Sequence, residues 1–250
     1  NCPSKNRQSA EGVVPFPHAN HFGACYVNGT GSGLYDSVVP ATADSIVRDK
    51  FDNAMDLVQV ELGDSKHWRI CKSSLNRFDR LQRMIRLQRW TGIPFARLDT
   101  LIISAIRAEG EENLGMDINE NTLRALGVYR YLNHHHGIDA LEFAALMHDV
   151  SPFATGKSEV PLFDQVFNRV KLFDTPLVLD QTALNFDGTD AVNQKTILQL
   201  CAGLGLQPTD DSFQLIARQT KLCIVAPKRD LATVSSLFRQ ARIARLFGCS

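Results

Sequence analysis

Net charge is the first thing this sequence lacks: its 250 residues balance 27 lysines and arginines against 27 aspartates and glutamates. A dedicated nucleic-acid binder is normally strongly basic, so the balance argues against that class. Long apolar runs are missing too. Nothing approaches the roughly 18–20 apolar residues that a helix needs to cross a bilayer. No signal peptide is recognisable, although a chain that starts at Asn1 without Met could have been processed. Cysteine is sparse, at positions 2, 25, 71, 201, 223 and 249. That is too thin and scattered for a disulfide scaffold, so the cysteines read as free thiols. No serine or cysteine sits in a context that marks a nucleophile, and scattered residue types do not make a triad.

What is present is a repeat. The pattern Leu-x-Arg-x-x-Arg-(Leu/Ile)-x-Arg-x-x-Gly occurs as Leu81, Arg83, Arg86, Leu87, Arg89, Gly92 and again as Leu237, Arg239, Arg242, Ile243, Arg245, Gly248. A third version, Leu126, Tyr131, Leu132, His134, Gly137, keeps the apolar positions and the glycine without the arginines. Each glycine is predicted to end a helix in a left-handed turn, where a Cβ would clash. The residues after the glycines repeat as well: Leu98 and Leu101 follow Gly92, Phe143 and Leu146 follow Gly137, and Phe213 and Ile216 follow Gly205. These corners lie 45, 68 and 43 residues apart, near the period of stacked helix pairs, which bury little surface alone and lean on their neighbours. The fold class expected is all-α, a solenoid-like bundle of stacked helical hairpins. The last pattern stops just past its glycine, where each earlier corner begins a second helix, so the chain reads as a fragment of a longer protein.

With 44% hydrophobic residues the chain can bury a sizeable core in one or two domains. Residues 1–43 are rich in Gly and Pro and read as an irregular segment, with a short β-like run at Cys25-Tyr26-Val27. From Asp44 to 250 the spacing is helical, with an insertion at about 151–188 whose 170–188 part is extended in character. Helices are expected at about 95–108, 121–136, 140–148, 162–168, 191–203, 210–222 and 231–247. Ser74 can cap a further helix whose core stripe would be Leu75, Phe78, Leu81 and Ile85. Met84, Leu87 and Trp90 form a second apolar line on it, interleaved with arginines at 77, 80, 83, 86 and 89. Their stems would cover apolar surface while their heads pair with carboxylates such as Asp79 or Asp99. Asp139 with Glu142 makes a capping box behind Ile138, and Thr189 and Thr209 are further cap candidates.

Three constellations could carry chemistry. His148-Asp149, after an apolar helix and downstream of His134, His135 and His136, has the residue types of HD-type metal phosphohydrolases, where a cation activates water. The interval from His136 to His148 is short for two helices to bring both ligands round, and Pro152 breaks the stretch after Asp149. Three histidines at a helix end are accounted for by the helix dipole. His18, His21 and Cys25, with Cys2, are zinc-ligand types without paired Cys-x-x-Cys elements. Gly29, Gly31 and Gly33 lack the Lys-Ser/Thr ending of a phosphate loop. The residues therefore supply no catalytic, cofactor-binding or metal-binding assignment. A metal hydrolase, or a receptor- or carbohydrate-binding module in the irregular 1–40 or 150–188 segments, stand as alternatives.

Three stretches together resemble one family: Arg80-Leu-Gln-Arg-Met-Ile-Arg-Leu-Gln-Arg-Trp-Thr-Gly-Ile-Pro-Phe, Ile118-Asn-Glu-Asn-Thr-Leu-Arg-Ala-Leu-Gly, and Pro161-Leu-Phe-Asp-Gln-Val-Phe-Asn. They look like the A subunit of bacterial insecticidal toxin complexes (Tc toxins), in the region related to the Salmonella virulence plasmid A proteins. The resemblance runs from about Phe51 to Gly248. It implies a non-enzymatic structural segment of the helical shell around the channel of a very long, pentameric, pore-forming and cell-binding subunit. The implied partners are the rest of the A subunit, neighbouring A protomers, the B and C components and the host cell surface. Neither nucleic acid nor membrane contact by this segment is implied. The toxin would be secreted or held at the bacterial surface, and would need no cofactor. A pH trigger is common in the family by resemblance, and His134, His135 and His136 are the candidates to sense it.

Overall fold

The computed structural model describes residues 25–28, 55–62, 65–71, 73–152, 159–169, 173–209 and 211–248. The three stretches of helical pattern become helices closed by left-handed glycines. Helix α2 (Leu75–Thr91) starts at Ser74, whose hydroxyl accepts from the Arg77 N–H, and ends at Gly92 with φ 72°. Helix α3 is Phe95–Ala108, and a 3-10 turn follows at Gly110–Asn113. Helix α4 (Glu120–His136) opens on an Asn119–Thr122 capping box and closes at Gly137 with φ 66°. Helix α5 (Ala140–Met147) opens on the expected Asp139–Glu142 box. After the short α6 (Leu162–Phe167) come α7 (Ala191–Leu204), ended by Gly205 at φ 65°, then α8 (Asp211–Cys223) and α9 (Leu231–Leu246). The fold is mainly all-α, as the periodicity implies.

Among the described residues two apolar cores form, and α5 belongs to both. The first gathers Tyr26, Met84, Leu98, Leu101, Ile102, Leu126, Ile138 and Phe143. The second gathers Phe163, Phe167, Leu177, Leu184, Leu200, Phe213 and Leu237. Ala140, Phe143 and Ala144 of α5 face the first, Leu141 and Ala145 face the second, and Leu146 packs against both. Glu142 apart, the helix is apolar on every side, and such a helix must be covered on every side. Of the repeated positions after the corners, Leu98, Leu101, Phe143, Phe213 and Ile216 are buried and Leu146 is half-buried. The 151–188 stretch is no external ornament, because Phe163, Phe167, Leu177, Leu179, Leu184 and Phe186 are core residues.

Several expectations are corrected. Cys25-Tyr26-Val27 is not a strand but part of a helical turn, α1 (Cys25–Asn28), fully enclosed by the first core. Within the region expected to be helical from Asp44 lies an antiparallel hairpin, β1 (Asp56–Leu62) with β2 (Ser65–Cys71), paired so that Leu57 faces Ile70 and Gln59 faces Trp68. On α2 the expected core stripe holds only in part: Leu81 and Ile85 are half-buried, with Leu81 packed on the first core, but Leu75 is 90% exposed and Phe78 42%, and Met84, Arg77 and Arg80 are the buried residues. Asp190, one residue beyond Thr189, caps α7 by accepting from Asn193 N–H at 3.0 Å.

Candidate functional site

The buried Arg80 on α2 explains both α1 and the departure from the expected stripe. The Arg80 guanidinium lies 5.1 Å from the Tyr26 ring centroid and donates to the carbonyls of Met116 (2.7 Å), Gly115 (2.6 Å) and Tyr26 (3.4 Å). A charged donor fork can satisfy several orphan carbonyls at once, which an aliphatic residue cannot. Opposite it, Asp99 on α3 accepts from the Cys25 N–H at 3.0 Å and the Tyr26 N–H at 2.8 Å. Asp99 is thus a helix cap supplied from a different helix, and not the arginine partner expected. Burial pushes its carboxyl upward in pKa, against the lowering by the Tyr26 and Cys25 bonds. Only Asp79 behaves as expected of the two, pairing with Arg83 at 2.8 Å.

The second copy of the motif places its arginines on helix ends. Arg239 donates to the carbonyl of His148 at the end of α5, Arg242 meets Glu142 at 2.8 Å near its start, and Arg245 donates to the carbonyl of Leu204 at the end of α7. Cationic donors at the carboxyl ends of helices satisfy free carbonyls and oppose the negative end of the dipole.

His148 and Asp149 sit at this α5–α9 junction. The His148 Nδ1 is 3.3 Å from the Asp149 carboxylate. Burial lowers the imidazole pKa; Asp149 raises it, and Arg107 and Arg239 lower it further, so the ring is held neutral through a wider pH range than a free histidine. Asp149 also lines a cavity of about 520 Å³ with Gln219, Cys223, Ser236, Arg239 and Gln240. The upstream histidines are not brought in. His134, His135 and His136 are exposed on the last turn of α4, where the His135 ring is tilted against Tyr131 at 4.3 Å between centroids and His136 meets Phe247 edge-on at 5.6 Å. Among the described residues no three His, Cys, Asp or Glu side chains gather so as to hold a metal ion. His18, His21, Cys2 and the glycines at 29, 31 and 33 lie outside the described residues, and Cys25 is a buried cysteine of α1 that makes no disulfide among the described residues. Nor is any helix among the described residues long and apolar enough to cross a membrane.

Helices turned at left-handed glycines and tied at their ends by arginines define a mainly all-α segment. No family model matches the chain. The toxin subunit YenA1 of Yersinia entomophaga is 36% identical over 243 residues, covering 94% of this chain. The chain spans 18% of that relative's length. In the cryo-EM structure of Yersinia pseudotuberculosis TcaA-TcaB, a chain matches 67% of this one with a TM-score of 0.50 and 22% identity, over 8% of its own length. That second likeness is one of fold. The chain is a relative of Tc toxin subunits, as its three motifs suggest.

Proposed function

We propose that this chain is a non-enzymatic structural segment of the pore-forming, cell-binding A subunit of an insecticidal toxin complex, forming part of the helical shell around the translocation channel. The observation that carries the reading is the 36% identity to a toxin subunit across 94% of the chain. The use of its charged residues supports it: Arg80, Asp99, Arg239 and Arg245 all bind backbone groups and hold helices in place. Residues 44–250 would be the shell domain and 1–43 an irregular leading segment. Its partners would be the rest of the A subunit, neighbouring protomers of a homopentamer, the B and C components and the host cell surface. The subunit would be secreted or displayed on the bacterial surface.

The test is made in the complete toxin. Replacing the core residue Leu237 by Asp is expected to abolish assembly and delivery of the toxic component, whereas His148→Ala leaves delivery intact. Phosphoesterase turnover or stoichiometric transition metal in the purified chain, lost on His148→Ala, overturns the reading in favour of an HD-type hydrolase.

A further inference from the structure

The two arginine-bearing repeats are employed differently. Arg242 and Arg245 of the second copy end on Glu142 and on the Leu204 carbonyl, both within the fold. Their counterparts in the first copy, Arg86 and Arg89, are exposed and, among the described residues, meet neither a carboxylate nor a helix end. Trp90 beside them is 64% exposed, with the guanidinium of Arg130 from α4 5.8 Å from its ring centroid. Arg130 thus sits by an outward indole, Arg86 and Arg89 are exposed on the same last turns of α2, and the nearby Arg83 is already paired with Asp79.

The complementary chemistry is on the same chain but elsewhere on it. The turn at 110–115 exposes Glu111, Glu112 and Leu114, the last at 72%. Its neighbour Glu109 is engaged by the amides of Asn113, Asn119 and Asn121, whereas Glu111 and Glu112 meet no cation among the described residues. Arg80 fixes this turn beside the first half of α2 through the Gly115 and Met116 carbonyls. Trp90 lies ten residues further on, about 15 Å along the helix axis. Turn and patch are thus a matched pair set apart on one molecule, in a chain whose overall charge is zero.

We propose that the patch of Arg86, Arg89, Trp90 and Arg130 receives the acidic 110–115 turn of a second copy of this chain. Leu114 packs on the indole while Glu111 and Glu112 pair with the guanidinium groups, as Glu142 does with Arg242 inside the fold. Each copy offers one turn and one patch, so the contact is head-to-tail and propagates from copy to copy. It rests on the assembly part of the function proposed above, but its test reads contact between copies and not toxin delivery, so the two fail separately.

The experiment is sedimentation velocity of the purified chain over a range of concentration and salt. Association in the micromolar range, weakened as salt screens the charges, is expected. The double variant Arg86→Glu/Arg89→Glu alone stays monomeric, and so does Glu111→Arg/Glu112→Arg alone. An equimolar mixture of the two associates again, because reversed patch meets reversed turn. Trp90→Ala, with every charge kept, weakens association by about tenfold or more, as loss of a central aromatic anchor does. All these positions are on the surface, and unchanged circular dichroism confirms folding. A wild-type chain that stays monomeric, reversals without effect, or a mixture that does not re-associate overturns the proposal.

Discussion

Asp99 is buried, and the backbone groups it holds are two N–H donors of a four-residue helix that could not persist alone. Replacing it by Ala leaves the Cys25 and Tyr26 N–H groups without an acceptor, at a cost of about 1–3 kcal/mol. Chemical denaturation measures the loss, and faster labelling of the Cys25 thiol shows that α1 has come away. His148 gives the molecule an acid-sensitive point. Because burial depresses its pKa, the unfolded chain binds the proton more readily than the folded one. Stability is therefore lost as pH falls below the ordinary histidine value of about 6.5. Urea midpoints measured above and below that pH are expected to differ less in His148→Gln than in the wild type.

At the scale of elements, glycines carry opposite meanings that the surroundings decide. A Cβ on Gly203 in α7 would lie 2.5 Å from the Phe167 ring and 2.9 Å from the Val166 carbonyl, so α6 and α7 touch backbone to side chain there. Gly203→Ala is expected to destabilise by about 1–3 kcal/mol through overpacking. A methyl group on Gly127, inside α4, would meet nothing within 4 Å, and Gly127→Ala should stabilise by up to about 1 kcal/mol. Thermal melts of the pair of variants should move in opposite directions. Much at this scale is legible in sequence: the corner glycines, the Ser74 cap and the Asp139–Glu142 box are local signals, and local chemistry realises them. The hairpin also carries a signal, the alternation Val58, Val60, Leu62 before Gly63-Asp64. What cannot be read locally is α1, whose caps come from Asp99 and Arg80, 73 and 54 residues away. The first turns of α2 depart from the expected stripe for the same reason. Periodicity ranks Leu75 and Phe78 above an arginine, but the carbonyls at 115 and 116 need a guanidinium.

Across the whole molecule, the shared helix α5 predicts that the two cores unfold together. Both tryptophans, Trp68 and Trp90, lie in the hairpin and α2, far along the chain from the second core. Leu237→Ala, a truncation in that second core, costs about 2–5 kcal/mol. The tryptophan fluorescence transition is expected to shift by the same amount as the circular dichroism transition. A fluorescence midpoint left unmoved would show two independent units. The candidate chemical site was less legible than the fold for a related reason. His148-Asp149 has the residue types of a metal centre, but the helix ends that would have to deliver further ligands point their histidines to solvent instead.

The eight residues of α5 have one more consequence. Amides near Ala144 and Ala145 are roofed by one core and floored by the other, so neither fraying at an end nor opening of a single side bares them. Their hydrogens can exchange with deuterium only when the entire structure lets go. The slowest-exchanging protons of the chain should therefore cluster in this short central segment, where their rate is a direct gauge of the global unfolding free energy.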